Sequence, residues 1–329
     1  MMAAMPNSRR PVGDATGPSR PFRSVVMALG LVTAAIVTAA CDGSSPTGGQ
    51  ATSTPTSGAS VAPSSFGPAV VRGRITDERV AESSGLVASR RNPGRLWTHN
   101  DSDQPAVLFC VEPDGGPCGG WTVTNAGNVD WEDIAAGPGP QRGEQYLYVG
   151  DIGDNTMERP DLVVYRVIEP TVAAAAGGGS GGDTAPAVAL RLRYDDGRHD
   201  AESLMVHPTT GDIYVITKEA GDTGVYKARP EGGVLTRIAT LGLGLFGLAT
   251  GADISPDGRR VAICTPFGGH ELTAATSDAA FDDIWTRRPS PVTLPVRDQG
   301  EAIAYRLDGG ALLLTSEGYP SPLFEVPRA

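Results

Sequence analysis

The chain has 329 residues and a formal net charge of −11. Without residues 1–41, which hold four Arg and one Asp, the balance is −14. That is too acidic for nucleic acid or an anionic membrane surface to be the favoured partner, and the four scattered histidines with four cysteines give no zinc-ligand spacing.

Residues 1–41 read as an export signal. Arg9, Arg10, Arg20 and Arg23 form a positive n-region, and Ser24 to Ala40 is an uncharged apolar run. The run ends in Thr38-Ala39-Ala40-Cys41, which resembles a bacterial lipobox. The implied chemistry is lipidation of Cys41 and anchoring to the outer face of the cytoplasmic membrane. Residues 42–67 are Gly, Ser, Thr, Pro and Ala almost throughout. Such a segment cannot bury a core and serves as a flexible tether. Residues 68–329 are then the folded part, long enough for one all-β domain and free of any long apolar helical period.

Within that part a short motif recurs: Ser84-Gly85-Leu86-Val87, Glu132-Asp133-Ile134-Ala135, Glu202-Ser203-Leu204-Met205, Ala252-Asp253-Ile254-Ser255 and Glu301-Ala302-Ile303-Ala304. The first residues lie 48, 70, 50 and 49 apart. After each copy come a turn and a near-continuous apolar run. The turns include Asn92-Pro93-Gly94 and Pro256-Asp257-Gly258, and the runs include Tyr146 to Val149 and Ile213 to Ile216. A period near 50 residues built from β-type runs predicts a β-propeller. The count is five blades, with six as the alternative. Ala173 to Asp183, within the long second interval, reads as a surface insertion. Val70 to Val80 is the outer strand needed to complete the last blade and close the ring. Cys110 and Cys118 flank a turn-like Val-Glu-Pro-Asp-Gly-Gly-Pro segment, and an exported context permits a disulfide there.

A propeller brings the same position of every blade to one axis, so Glu132, Glu202 and Glu301 should converge. Carboxylates that close cannot all stay ionised without protons or a cation. Oxygen donors suit Ca²⁺ before Mg²⁺. The second strands end in Thr98 to Asp101, Gly150 to Asn155, Thr217-Lys218-Glu219, Thr265 and Thr315 to Glu317. Antiparallel pairing places these ends beside the motifs, predicting a funnel of Asp, Glu, Asn and Thr.

This pattern resembles the calcium-activated nucleotidases (apyrases), five-bladed propellers with an axial calcium held by serine or glutamate at the start of each first strand. The resemblance implies Ser84, Glu132, Glu202 and Glu301 as ligands, with Asp253 compensating for Ala252. The chain is also similar to uncharacterised actinobacterial secreted proteins with Asp-Trp-Glu-Asp-Ile-Ala and Gly-Asp-Ile-Gly-Asp-Asn. Two functions follow as expectations. One is a metal-dependent phosphohydrolase acting on a small phosphorylated molecule, with Asp101, Asp151, Asp154, Glu219 or Glu317 positioning or deprotonating water. The other is a non-catalytic module with structural calcium that binds a surface protein or glycan. No Gly-x-Ser-x-Gly nucleophile elbow is present.

Overall fold

A computed structural model describes residues 65–173, 181–221, 223–244 and 247–329. The export signal, Cys41 and the tether up to residue 64 lie outside the described residues. No helix among the described residues is long and apolar enough to cross a membrane.

The strands form five antiparallel groups of four, of which the second and third are joined through their outer strands into one eight-stranded sheet. Strand β1 (Val70–Ile75) precedes the first group, which is β2 (Ser83–Ala88), β3 (Leu96–Asn100), β4 (Val107–Val111) and β5 (Pro117–Thr122). The second group is β6 (Trp131–Gly137), β7 (Tyr146–Asp151), β8 (Leu162–Ile168) and, after the short β9 (Gly181–Asp183), β10 (Val188–Tyr194). The third is β11 (Ala201–Val206), β12 (Ile213–Thr217), β13 (Thr223–Arg229) and β14 (Gly232–Leu241). The fourth is β15 (Gly251–Ile254), β16 (Arg260–Thr265), β17 (Gly268–Thr273) and β18 (Ser290–Val292), with a 3-10 helix, Phe281–Thr286, before its last strand. The fifth is β19 (Ile303–Tyr305), β20 (Ala311–Leu314) and β21 (Ser321–Pro327), completed by β1, which pairs antiparallel with β21.

Each first strand contacts the first strands of the blades on either side, β19 against β2 included, so the ring is closed. This is the all-β propeller architecture. Strands near the axis are covered on both faces: β2, β6, β7, β11 and β12 are buried at every position. The outer strand β10 alternates exposed and buried residues instead, as a half-solvated strand should. Trp97, Trp131, Tyr214 and Tyr226 are among the large fully buried side chains between blades.

One local reading is corrected. Gly181–Asp183 is not merely a surface insertion, because β9 adds a parallel fifth strand to the edge of the first blade. The outer strand of the fourth blade is short, Ser290–Val292. Cys110 and Cys118 are joined by a disulfide across the β4–β5 hairpin, while Cys264 is a buried free thiol.

Candidate functional site: an acidic mouth on the axis

In three blades the first motif residue is an extra residue in its strand. Pairing shifts register between Ser83 and Gly85, between Trp131 and Asp133, and between Ala201 and Ser203. Ser84, Glu132 and Glu202 therefore each sit on a β-bulge, a device that re-aims a side chain. In the fourth blade Gly251 to Ile254 pair in regular register, so Ala252 is not bulged.

Contacts join these positions around the ring. Ser84 Oγ donates to the Glu132 carbonyl at 2.8 Å and lies 3.4 Å from Glu301 Oε2. Lys218 Nζ donates to Glu202 Oε1. Glu202 Oε2 is buried and has no hydrogen-bond partner. One carboxylate oxygen from each of Asp101, Asp130 and Glu132 lies within 4.8 Å of the others. Two ligand atoms of one Ca²⁺, each about 2.4 Å from the ion, can be no farther apart than about 4.8 Å. The spacing and the all-oxygen donors therefore fit a hard cation.

Asp130 is absent from the sequence-based candidates. It lies just before β6, two residues ahead of the bulged Glu132, and the signal that could have found it is the acidic run Asp-Trp-Glu-Asp. Its position is built. Asp151 accepts the main-chain N–H groups of Val129 and Asp130 at 3.3 and 3.1 Å and is itself held by Arg159 Nη2 at 2.6 Å. Asn128 accepts from Trp131 N and donates through Nδ2 to the Asp101 carbonyl at 2.6 Å, tying two acidic loops together. A Cβ added to Gly153 would lie 2.2 Å from Glu132 Oε1 and 2.4 Å from Asp130 Oδ2. Only glycine leaves room there for both carboxylates.

Burial, then the charges of Glu202, Asp101, Asp130 and Glu301, push the Glu132 carboxyl well above its ordinary range. Burial and Glu301 raise Glu202 to about 8 against the opposing pull of Lys218. Burial, then a charged and hydrogen-bonded Glu317, raise Glu301 to about 9. Asp130 is pushed up to about 6, by burial first and Asp101 next. Burial also raises Asp101 and Glu317. Six carboxyl groups thus crowd the mouth, with Lys218 the ammonium reaching into it.

Other predicted residues have different work. Asp253 accepts the Tyr305 N–H at 2.8 Å, bridging the fourth and fifth blades. Its carboxyl is raised to about 7 by burial, and Arg90 pulls it down. Arg90 is therefore close enough for its charge to act on Asp253. Asp151 positions Asp130, as above. Asp154 caps a turn by accepting from Glu158 N and Arg159 N at 2.8 and 2.9 Å. Glu219 pairs with His199 Nδ1 at 2.7 Å and accepts from Thr217 Oγ1. The threonines do not line a funnel. Thr98 and Thr315 both bond Ser83 Oγ, and Thr265 donates to the Gly268 carbonyl, all within buried strand ends.

No protein-family model matches the chain, and no curated protein sequence does. Structural similarity extends to solved structures of low identity. A nidogen/laminin complex chain gives a TM-score of 0.42 at 13% identity, covering 72% of this chain and 73% of that one. A putative oxidoreductase (glucose dehydrogenase) from Thermus thermophilus gives 0.43 at 12%, covering 80% and 100%. The Dos1 propeller gives 0.38 at 7%, covering 78% and 95%.

Proposed function

We propose that this chain is an exported propeller, anchored through Cys41, whose axial mouth holds a divalent cation, calcium by its donor set. Asp101, Asp130 and Glu132 would hold the ion, and Ser84, Glu202 and Glu301 would complete the oxygen-lined wall. The observation that carries the reading is the cluster of three carboxylate oxygens within 4.8 Å of one another, beside a buried Glu202 oxygen without a hydrogen-bond partner. This takes up the ligand scheme of the nucleotidase resemblance, extended by Asp101 and Asp130 and without Asp253.

A binding role around that ion is favoured over catalysis. Asp151, Asp154 and Glu219 are engaged in loop contacts. Loops on the mouth face carry exposed apolar side chains: Val129 at 61%, Phe267 at 80% and Val296 at 98%. An acidic centre rimmed by such residues suits a surface protein or glycan. One observation favours a second reading, a calcium-dependent phosphohydrolase. Glu301 and Glu317 are hydrogen-bonded to each other and burial raises both carboxyls, so a pair able to share a proton stands beside the cation site. A bound cation would supply charge stabilisation on phosphate oxygens.

Calcium titration of the purified protein tests the first claim. Saturable binding that raises the melting temperature and is reversed by chelator supports it. No binding at millimolar calcium rejects it. Phosphate release from nucleotides or phytate, lost in Glu317→Gln while calcium binding persists, would select the enzyme.

A further inference from the structure

A polar hollow lies between the third and fourth blades, at the end away from the acidic mouth. Its volume is about 410 Å³, within the range of ligand pockets. One wall is aromatic: Phe281 packs edge-on against His207 and Tyr214, at centroid distances of 4.7 and 5.2 Å. His207 is a fixed donor. Its Nδ1 accepts the main-chain N–H groups of Thr209 and Thr210 at 3.3 and 3.1 Å, and burial holds its pKa below the ordinary value. The ring is therefore neutral, with its proton on Nε2. Among the described residues nothing accepts that N–H. Gly258 leaves the space beside it open: at φ +66°, an added Cβ would lie 3.3 Å from His207 Nε2. The charged groups of the hollow largely neutralise one another. Lys227 Nζ lies 3.0 Å from Asp212 and 2.7 Å from Asp282, over the Tyr214 ring. Tyr214 Oη donates to Asp282 Oδ1 at 2.6 Å, and Asp257 pairs with Arg260 at 3.3 Å. Two groups of opposite sign have no ion pair among the described residues. One is the exposed Asp278. The other is Arg259, whose guanidinium reaches the Thr276 carbonyl at 3.4 Å.

We propose that this hollow binds a neutral saccharide of one or two pyranose rings. Charge excludes ions: an anion would face the carboxylates of Asp212, Asp257 and Asp282, and a cation would face Lys227 and Arg259. Polarity excludes an apolar body, which would strip water from those groups and return no hydrogen bond. A sugar hydroxyl both donates and accepts. It therefore suits a wall that sets the N–H donors of His207 and Arg259 beside carboxylate acceptors, and such charge-assisted bonds are the strong kind. The C–H face of a pyranose can pack on Phe281. A cavity of about 150 Å³ accepts one benzene ring, so this one has room for two six-membered rings. The inference is independent of the cation reading, because the hollow shares no residue with the mouth.

Cellobiose, maltose, lactose and diacetylchitobiose are the probes, each titrated into the purified protein by ligand-observed NMR. At least one should bind with a Kd on the order of 1 mM. Its affinity should be the same from about 0.05 to about 0.5 M salt, because the ligand carries no charge. Asp278→Ala and Arg259→Gln should each weaken it about tenfold with the melting temperature unchanged. Arg259→Gln keeps the main-chain bonds to Ser255 and Asp257. Gly258→Asn, which tolerates a positive φ, should abolish binding by filling the space beside His207. Glu202→Gln, at the mouth, should leave it unchanged. The proposal is overturned if none of the four sugars binds at tens of millimolar, or if Asp278→Ala and Arg259→Gln both bind as well as the native chain. Phosphate, putrescine or phenylalanine binding as tightly as the best sugar also overturns it.

Discussion

At Glu202, burial penalises the charge, Lys218 welcomes it and Glu301 repels it. The balance has a measurable consequence. The unfolded chain releases its glutamate protons near the ordinary value of 4.5, whereas folded Glu202 holds its proton to about 8 and Glu301 to about 9. Across that window the folded state binds more protons, so the metal-free protein loses stability as pH rises from about 4.5 to about 9. Saturating calcium favours the ionised form and should flatten this slope. Melting curves from pH 5 to 9 with calcium and with EDTA check it, and identical slopes would count against the cation. Substituting Glu202→Gln should weaken calcium at least about tenfold. At a calcium level 100 times the native Kd, stabilisation then drops from about 2.7 to about 1.4 kcal/mol. Gly153→Ala should weaken calcium too, because the added methyl collides with Glu132 and Asp130. Calorimetric titration reads both, and an unchanged affinity in Gly153→Ala would remove those two carboxylates from the site.

Among the strands, Asp133 links three blades through one carboxylate. Buried in β6, it accepts N–H groups from Ile134, from Leu204 in β11 and from Ala252 in β15. Asp133→Ala would leave three buried donors without a partner, at about 1–3 kcal/mol each. A loss of at least about 3 kcal/mol is expected in denaturant unfolding, with a smaller loss for Asp133→Asn, which keeps one acceptor oxygen. A loss below 1 kcal/mol would contradict the bridging role, by about the worth of one ordinary hydrogen bond. These bridges also explain what the sequence left hidden. The recurrence near 50 residues and the Pro-Asp-Gly type turns were enough to place the first strands and to see that β1 completes the last blade. The bulges under Ser84, Glu132 and Glu202 leave no compositional mark, and they decide which side chains reach the mouth. Asp253 was expected to compensate for Ala252, which stands at the ligand's motif position, but it occupies the place of Asp133. Like Asp133, it accepts a main-chain N–H of the next blade, that of Tyr305. The threonines were found at the right strand ends, but a hydroxyl there serves neighbouring strands as readily as a channel. Asp130 was legible only as one more acid in the Asp-Trp-Glu-Asp run.

For the molecule as a whole, closure and polarity matter most. The ring is fastened by β1 on β21, with the β4–β5 hairpin turn against β1: Thr76 N donates to the Gly115 carbonyl at 3.3 Å. Deleting residues up to Thr76 should expose the β21 edge and give a protein that aggregates or melts without cooperativity. A monomeric, cooperatively melting truncation would show that closure lies elsewhere. The two ends of the propeller also differ in chemistry. The mouth end gathers the carboxylates of Asp101, Asp130, Glu132, Glu202, Glu301 and Glu317. The far end carries paired arginines, among them Arg95 with Glu112 and Arg306 with Glu325. The described fold begins at that far end, where Gly67 N bonds the Pro327 carbonyl. The most direct test of the account is an anomalous difference map from a crystal soaked in a calcium-mimicking lanthanide such as terbium. The account predicts a strong peak bounded by the Asp101, Asp130 and Glu132 carboxylates. A map with no peak there, from a crystal in which terbium is bound elsewhere, would contradict it.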